Sequence, residues 1–224
     1  MDLIGAFIEF FRDPKTWLTG VLAVYGSWVY AILFAVIFCE TGLVVTPILP
    51  GESLLFAAGA VTGSARGALD PWLLFAVLCV AAILGDTVNY WIGHTLGPRM
   101  LANPNSRILK KEYLDRTHRF FAKYGGKTII LGRFVPFVRT FAPFMAGVGE
   151  MAYGRFLLYN IVGGVLWVGV AFGAGVFFGG LPFVEKNMTL ILVAVVLVSL
   201  LPATYEYVSH RLQSRRAARG GDEA

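Results

Sequence analysis

The sequence predicts an all-α membrane protein: an inverted repeat of re-entrant hairpin plus transmembrane helix, with about four full spans and interfacial amphipathic helices. Three observations predict it. The 224 residues are 57% hydrophobic and 15% charged, with a mean hydropathy of +0.67, more apolar surface than a soluble domain of this size can cover. Four apolar stretches approach the roughly 20 residues that a helix needs to cross hydrocarbon: Trp17 to Cys39, Pro71 to Leu96, Phe156 to Leu181 and Met188 to Tyr205. Two further apolar segments carry prolines and charges together, which straight spans avoid.

The elements follow in order. Leu3, Ile4, Phe7, Ile8 and Phe11 form a helical stripe that stops at Asp13-Pro14, the pattern of a short interfacial helix. The first span is too long for a signal-peptide core and lacks a small-residue cleavage site, so it is expected to stay attached. Thr41 to Thr62 carries Pro47, Pro50, Gly51 and Glu52, and is expected to form a re-entrant hairpin broken at Pro47, Pro50 and Gly51. After the second span, a basic interfacial helix is expected beyond Asn105-Ser106, with Leu109, Tyr113, Phe120, Phe121 and Tyr124 on one side and Gly125-Gly126 ending it. Thr128 to Gly149, with Arg133, Pro136, Arg139 and Pro143, reads as a second hairpin, broken at the two prolines. Residues 1–210 make one membrane domain and 211–224 a basic tail.

Charge placement fixes the orientation. Arg99 to Lys127 holds eight Lys or Arg against two acids, and Arg211 to Arg219 is also basic, so both are expected on the cytoplasmic side. A full crossing by Thr128 to Gly149 would put one of them on the wrong face. Re-entrant hairpins remove the conflict, place both termini inside, and make the two hairpins enter from opposite faces, as in many secondary transporters. A short echo accompanies this, Phe56-Ala57-Ala58-Gly59 against Phe144-Met145-Ala146-Gly147.

This topology puts Glu40, Glu52, Asp86, Arg133 and Arg139 inside the membrane zone. Unpaired, each costs about 2.5 to 3.5 kcal/mol at the centre of an inserted helix. They must pair, sit in water, or lose their charge. One reading is that they neutralise one another as glue between the hairpins. The other is functional: Arg133 and Arg139 offer planar donor forks suited to phosphate or carboxylate, a natural anion clamp. Burial and a neighbouring arginine act in opposite senses on Glu40 and Glu52, which makes them candidates to carry a coupled proton, with Asp86 a third. A solvated charge at a helix end is the plain alternative for Glu40.

Asp86, Asn89, Tyr90 and Gly93 share one helical face, as do Asn160, Gly163, Gly164 and Trp167, so Asn89, Tyr90, Asn160 and Trp167 are expected to give packing and polar support. His94 is expected at the interface. Cys39 and Cys79 lie in apolar segments and read as small hydrophobes. The net charge of +5 sits on span flanks, without the aromatic-basic platform of a nucleic-acid binder. No Gly-x-Ser-x-Gly elbow, metal-ligand cluster or cofactor motif points to an enzyme.

These residues resemble the DedA membrane proteins, also called the SNARE-associated or VTT-domain family. The resemblance rests on Glu40 with Pro47-Ile48-Leu49-Pro50-Gly51-Glu52, on Gly85-Asp86 with Asn89-Tyr90 and Gly93, and on Gly132-Arg133-Phe134-Val135-Pro136-Phe137-Val138-Arg139-Thr140. It continues through Ala146-Gly147, Met151, Phe156 and the run from Asn160 to Trp167, covering about residues 35 to 180. It implies a lipid transporter of a bacterial cytoplasmic (inner) membrane, dependent on the proton motive force and acting on undecaprenyl phosphate or a related phospholipid. The family's acidic and arginine pairs correspond to Glu40 and Glu52 and to Arg133 and Arg139; relatives often have Asp where Glu52 stands here. A proton or small-ion antiporter and an uncoupled scramblase remain the alternatives.

Overall fold

The computed structural model describes residues 14–43, 51–64, 69–101, 125–149 and 151–187, with single positions 190, 191 and 194 beyond. Among them every regular element is helical: α1 Pro14–Tyr25, α2 Trp28–Gly42, α3 Gly51–Ser64, α4 Pro71–Leu101, α5 Lys127–Gly132, α6 Pro136–Val148, α7 Tyr153–Phe178 and α8 Pro182–Lys186. Pro47, Pro50, both interfacial segments, most of the fourth apolar stretch and the basic tail lie outside the described residues.

The local chemistry accounts for the boundaries. Pro71 opens α4 at the first helical position, and the Asp70 carboxylate accepts from the Leu73 N–H at 2.8 Å, a side-chain cap. Val135 precedes Pro136, which forces it out of the helical region to φ −118°, ψ 110° and separates α5 from α6. The N–H groups of Arg133, Phe134 and Val135 turn instead to the carbonyls three residues back, so the break leaves these donors satisfied.

Two expectations are corrected. Trp17 to Cys39 is not one continuous helix, because Gly26 adopts φ +53° and closes α1 by donating its N–H to the Leu22 carbonyl. Glycine takes this left-handed conformation without a Cβ penalty, and the chain turns there before α2. Pro143 breaks nothing: α6 runs through it. The single lost backbone bond is outweighed by the packing of α6 along α4.

Pro71–Gly97 and Tyr153–Phe178 are long and apolar enough to cross a membrane, and only 39% and 33% of their most apolar windows are buried inside the protein. Apolar residues on all sides of a helix that is mostly uncovered require an apolar solvent. Val80, Leu84 and Val88 on α4 and Leu158, Val165 and Val170 on α7 stand in that exposed surface.

The helices meet crosswise. α3 packs on α7, and α6 packs on α4. In the first contact, a Cβ added to Gly175 would stand 2.1 Å from the Phe56 carbonyl oxygen, and one on Gly59 2.1 Å from that of Phe172. In the second, a Cβ on Gly93 would stand 2.1 Å from the Phe144 oxygen, and one on Gly147 2.0 Å from that of Tyr90. The residues of the sequence echo thus occupy matching places, Phe56 with Phe144 and Gly59 with Gly147. Missing side chains bring the backbones into contact at both crossings.

Candidate functional site

All three acids lie in the first half of the chain and both arginines in the second, and the crosswise packing brings them together. Glu40 sits in the last turn of α2, Glu52 in the first turn of α3 and Asp86 midway along α4. Arg133 follows α5 at the break, and Arg139 lies in the first turn of α6. The break at Val135 therefore places one guanidinium on each side of itself.

Arg139 joins two acids. Its Nη1 donates to Glu52 Oε1 at 2.7 Å and its Nη2 to Glu40 Oε1, which also accepts from the Gly51 N–H at 3.0 Å. The solvated reading of Glu40 is overturned, since the residue is 2% exposed. Glu52 is less enclosed. Gly51 owes its place to this carboxylate: a Cβ there would fall 2.0 Å from Glu40 Oε2.

Arg133 makes a separate pair. Its Nη2 donates to Asp86 Oδ2 and to Asn160 Oδ1. Asn160 is itself held through its Nδ2, which reaches the Ile83 carbonyl at 3.0 Å and Thr87 Oγ1 at 3.3 Å. Gly163 and Gly164 leave room for the arginine stem, whose Cδ would lie 3.1 Å from a Cβ at Gly163. Asn89 ties α4 to both α2 and α6, donating to the carbonyls of Thr41 at 3.3 Å and Thr140 at 2.8 Å.

Trp167 lies under the Arg139 guanidinium, 5.3 Å from ring centre to Cζ, a cation–π contact inside a desolvated site. Thr41, Asp86, Arg133, Arg139, Thr140 and Trp167 line a cavity of about 10 Å³, the room of a single water. Every carboxyl of the cluster holds an arginine, and the cavity is too small for a phosphate group as it stands.

Tyr90 is set apart from the charges. Its hydroxyl donates to the Met151 carbonyl and its ring stacks on Phe156 at 4.5 Å, with His94 stacked beside it at the exposed end of this aromatic group. It joins α4 to the start of α7. Reading the sequence missed Thr41, Thr140 and the part Gly51 plays as a partner of Glu40. The only linear signal for Gly51 is its place directly before Glu52.

Comparison with known proteins places this geometry in context. Residues 49–177 match the model of the VTT domain. The chain is 50% identical to Protein DedA of Escherichia coli K12 over 98% of this chain and 100% of that one. It is 43% identical to a membrane protein of Mycobacterium leprae over 92% of this chain and 91% of that one, and 37% identical to inner membrane protein YghB of E. coli K12 over 72% and 73%. No solved structure matches significantly.

Proposed function

The chain belongs to the DedA family of VTT-domain membrane proteins, and from that premise and its buried charge cluster we propose that it is a proton-linked flippase of a lipid with a phosphate head group. Undecaprenyl phosphate and related phospholipids are the candidate substrates.

The observation that carries the reading is that both donor arms of Arg139 are held by carboxylates from two different helices, in a cluster of three acids and two arginines. Fully ionised, that cluster has one negative charge too many for a low-dielectric interior. One proton corrects it. A carboxylate on an arginine fork also occupies the seat that a phosphate would take. Protonating Glu52 or Glu40 releases the guanidinium, so proton uptake and head-group binding favour each other by linkage. The acids serve as internal stand-ins for the substrate anion and keep the arginines paired between passages.

The proposed architecture has the chain α3 and the pair α5–α6 dipping into the bilayer from opposite faces, as re-entrant segments of an inverted repeat. Matching glycine crossings at α3–α7 and α6–α4 support it, as does the proline-induced break between the two buried arginines, tolerable within a membrane where backbone lines a cavity. In this arrangement α4 and α7 span the membrane, the first apolar stretch crosses as α1 and α2 with a turn at Gly26, the fourth completes about four spans, and both termini face the cytoplasm. Relatives named inner membrane proteins support the bacterial cytoplasmic membrane as its place. The partners are then lipid and protons, and no reaction is assigned to the site.

The test is reconstitution in vesicles holding undecaprenyl phosphate or phosphatidylethanolamine, with head-group exposure followed with and without an imposed pH gradient. Lipid movement that responds to the gradient is expected. Proton or ion flux with no lipid movement would make the protein an antiporter, and lipid movement indifferent to the gradient an uncoupled scramblase.

A further inference from the structure

Two residues bordering the central cavity each bury a donor that has no partner: Arg133 through Nε and Trp167 through Nε1. Both residues are nearly sealed, at 3% and 2% exposure. Arg133 spends its Nη2 on Asp86 and Asn160, while its Nε–H, on the side of Gly163, has no partner. Trp167 meets Arg139 with the face of its ring, leaving its edge donor unused. Buried donors are ordinarily paired, and two residues of one cavity wall that each carry an unpaired donor leave room for a shared acceptor.

The chemistry restricts that acceptor. An indole N–H and a guanidinium N–H only donate, so the complementary atom is an oxygen without a competing hydrogen on that side. Unpaired acceptors do occur nearby, Glu40 Oε2 and Asn89 Oδ1, but neither residue borders the cavity. The cavity wall holds two guanidiniums against one carboxylate, so an anionic oxygen suits it better than a neutral one once the acids of the wider cluster have taken up a proton. As it stands the volume admits one water.

We propose that Trp167 is a head-group-binding residue: its indole N–H, together with the Nε–H of Arg133, donates to one oxygen of the translocated phosphate, a place taken by water between passages. The proposal rests on the phosphate-lipid reading above and assigns that site a donor beyond the charged groups. It also gives Trp167 two separable jobs. The ring face holds Arg139 and belongs to the fold, whereas the ring edge binds substrate.

Trp167→Phe separates them, since phenylalanine keeps an aromatic face and lacks the N–H. In detergent, binding of a short-chain prenyl phosphate should weaken roughly tenfold to a hundredfold, as expected for one lost hydrogen bond to an anion, with the melting temperature little changed. The prenyl alcohol of the same chain is the control. A second readout uses a chain keeping Trp167 alone among its five tryptophans. Its emission should shift to the red on adding the prenyl phosphate and not the alcohol, and this decides the matter if Trp167→Phe folds poorly. Phosphate binding by the unaltered protein with unchanged affinity in Trp167→Phe, or with no shift from Trp167, overturns this proposal alone. No preference for phosphate over alcohol in the unaltered protein overturns the flippase reading, and this proposal with it.

Discussion

Neutralising one acid of the buried cluster should leave the protein folded and stop driven transport, whereas neutralising one arginine should damage the fold itself. The reason is the formal charge. Three carboxylates face two guanidiniums, so Glu40→Gln or Glu52→Gln brings the cluster to balance, while Arg139→Gln leaves two excess negative charges. In Glu40→Gln the amide oxygen still accepts from Arg139 and from the Gly51 N–H, but both bonds lose their ionic assistance, about 1 kcal/mol each. Relief of the repulsion from Glu52 offsets part of that cost, so a net loss of about 1 to 2 kcal/mol is expected. Glu52→Gln should cost less, because that side chain is 15% exposed against 1% for Glu40 and makes the longer bond. Arg139→Gln strands two carboxylates and should cost about 3 to 5 kcal/mol. The assays are thermal unfolding in detergent and lipid movement in vesicles with and without a pH gradient. The reasoning is refuted if either glutamine variant loses as much stability as Arg139→Gln, or if both transport normally under the gradient.

Three further predictions follow from close contacts and topology. Gly51→Ala should displace the Glu40 carboxylate, whose Oε2 lies 2.0 Å from the added Cβ, and reduce transport more than it reduces melting temperature; equal activity would show that the Gly51–Glu40 contact is dispensable. Gly147→Ala and Gly175→Ala should each lower stability by about 1 to 3 kcal/mol, because backbone oxygens about 2 Å away cannot give, while Gly173→Ala, with nothing within 4 Å, should be neutral or stabilising by thermal unfolding. Single cysteines at Ser64 or Lys186, after replacement of Cys39 and Cys79, should react with an impermeant thiol reagent from outside and those at Lys111 or Ser214 should not; labelling of Ser64 and Lys111 from the same side contradicts the opposed-hairpin topology.

Much of the site was legible before any helix was placed, for a thermodynamic reason. Ionisable residues in apolar surroundings are costly, so Glu40, Glu52, Asp86, Arg133 and Arg139 stand out in the linear chain as groups that need partners. Proline geometry likewise marks the break before Pro136, since it acts on the neighbouring residue alone. Two local readings failed. The long apolar run from Trp17 hides the turn at Gly26, and Pro143 looks like a second break but lies within α6.

The sequence by itself determined the solvent, the helical class, the family and which charges need partners, because composition, periodicity and motif spacing are properties of the chain taken in order. Only the tertiary structure decided who pairs with whom. Arg133 meets Asp86 from 47 residues away, and Arg139 meets Glu52 and Glu40 from 87 and 99. Which of these pairings forms depends on the crosswise approach of α3 to α7 and α6 to α4, which glycines far apart in the chain permit. The same approach forms the cavity, lays Trp167 under Arg139 and leaves two donors unpaired beside it. Burial creates the demand for a partner locally, and distance in space, set by the packing of whole helices, determines which partner meets it.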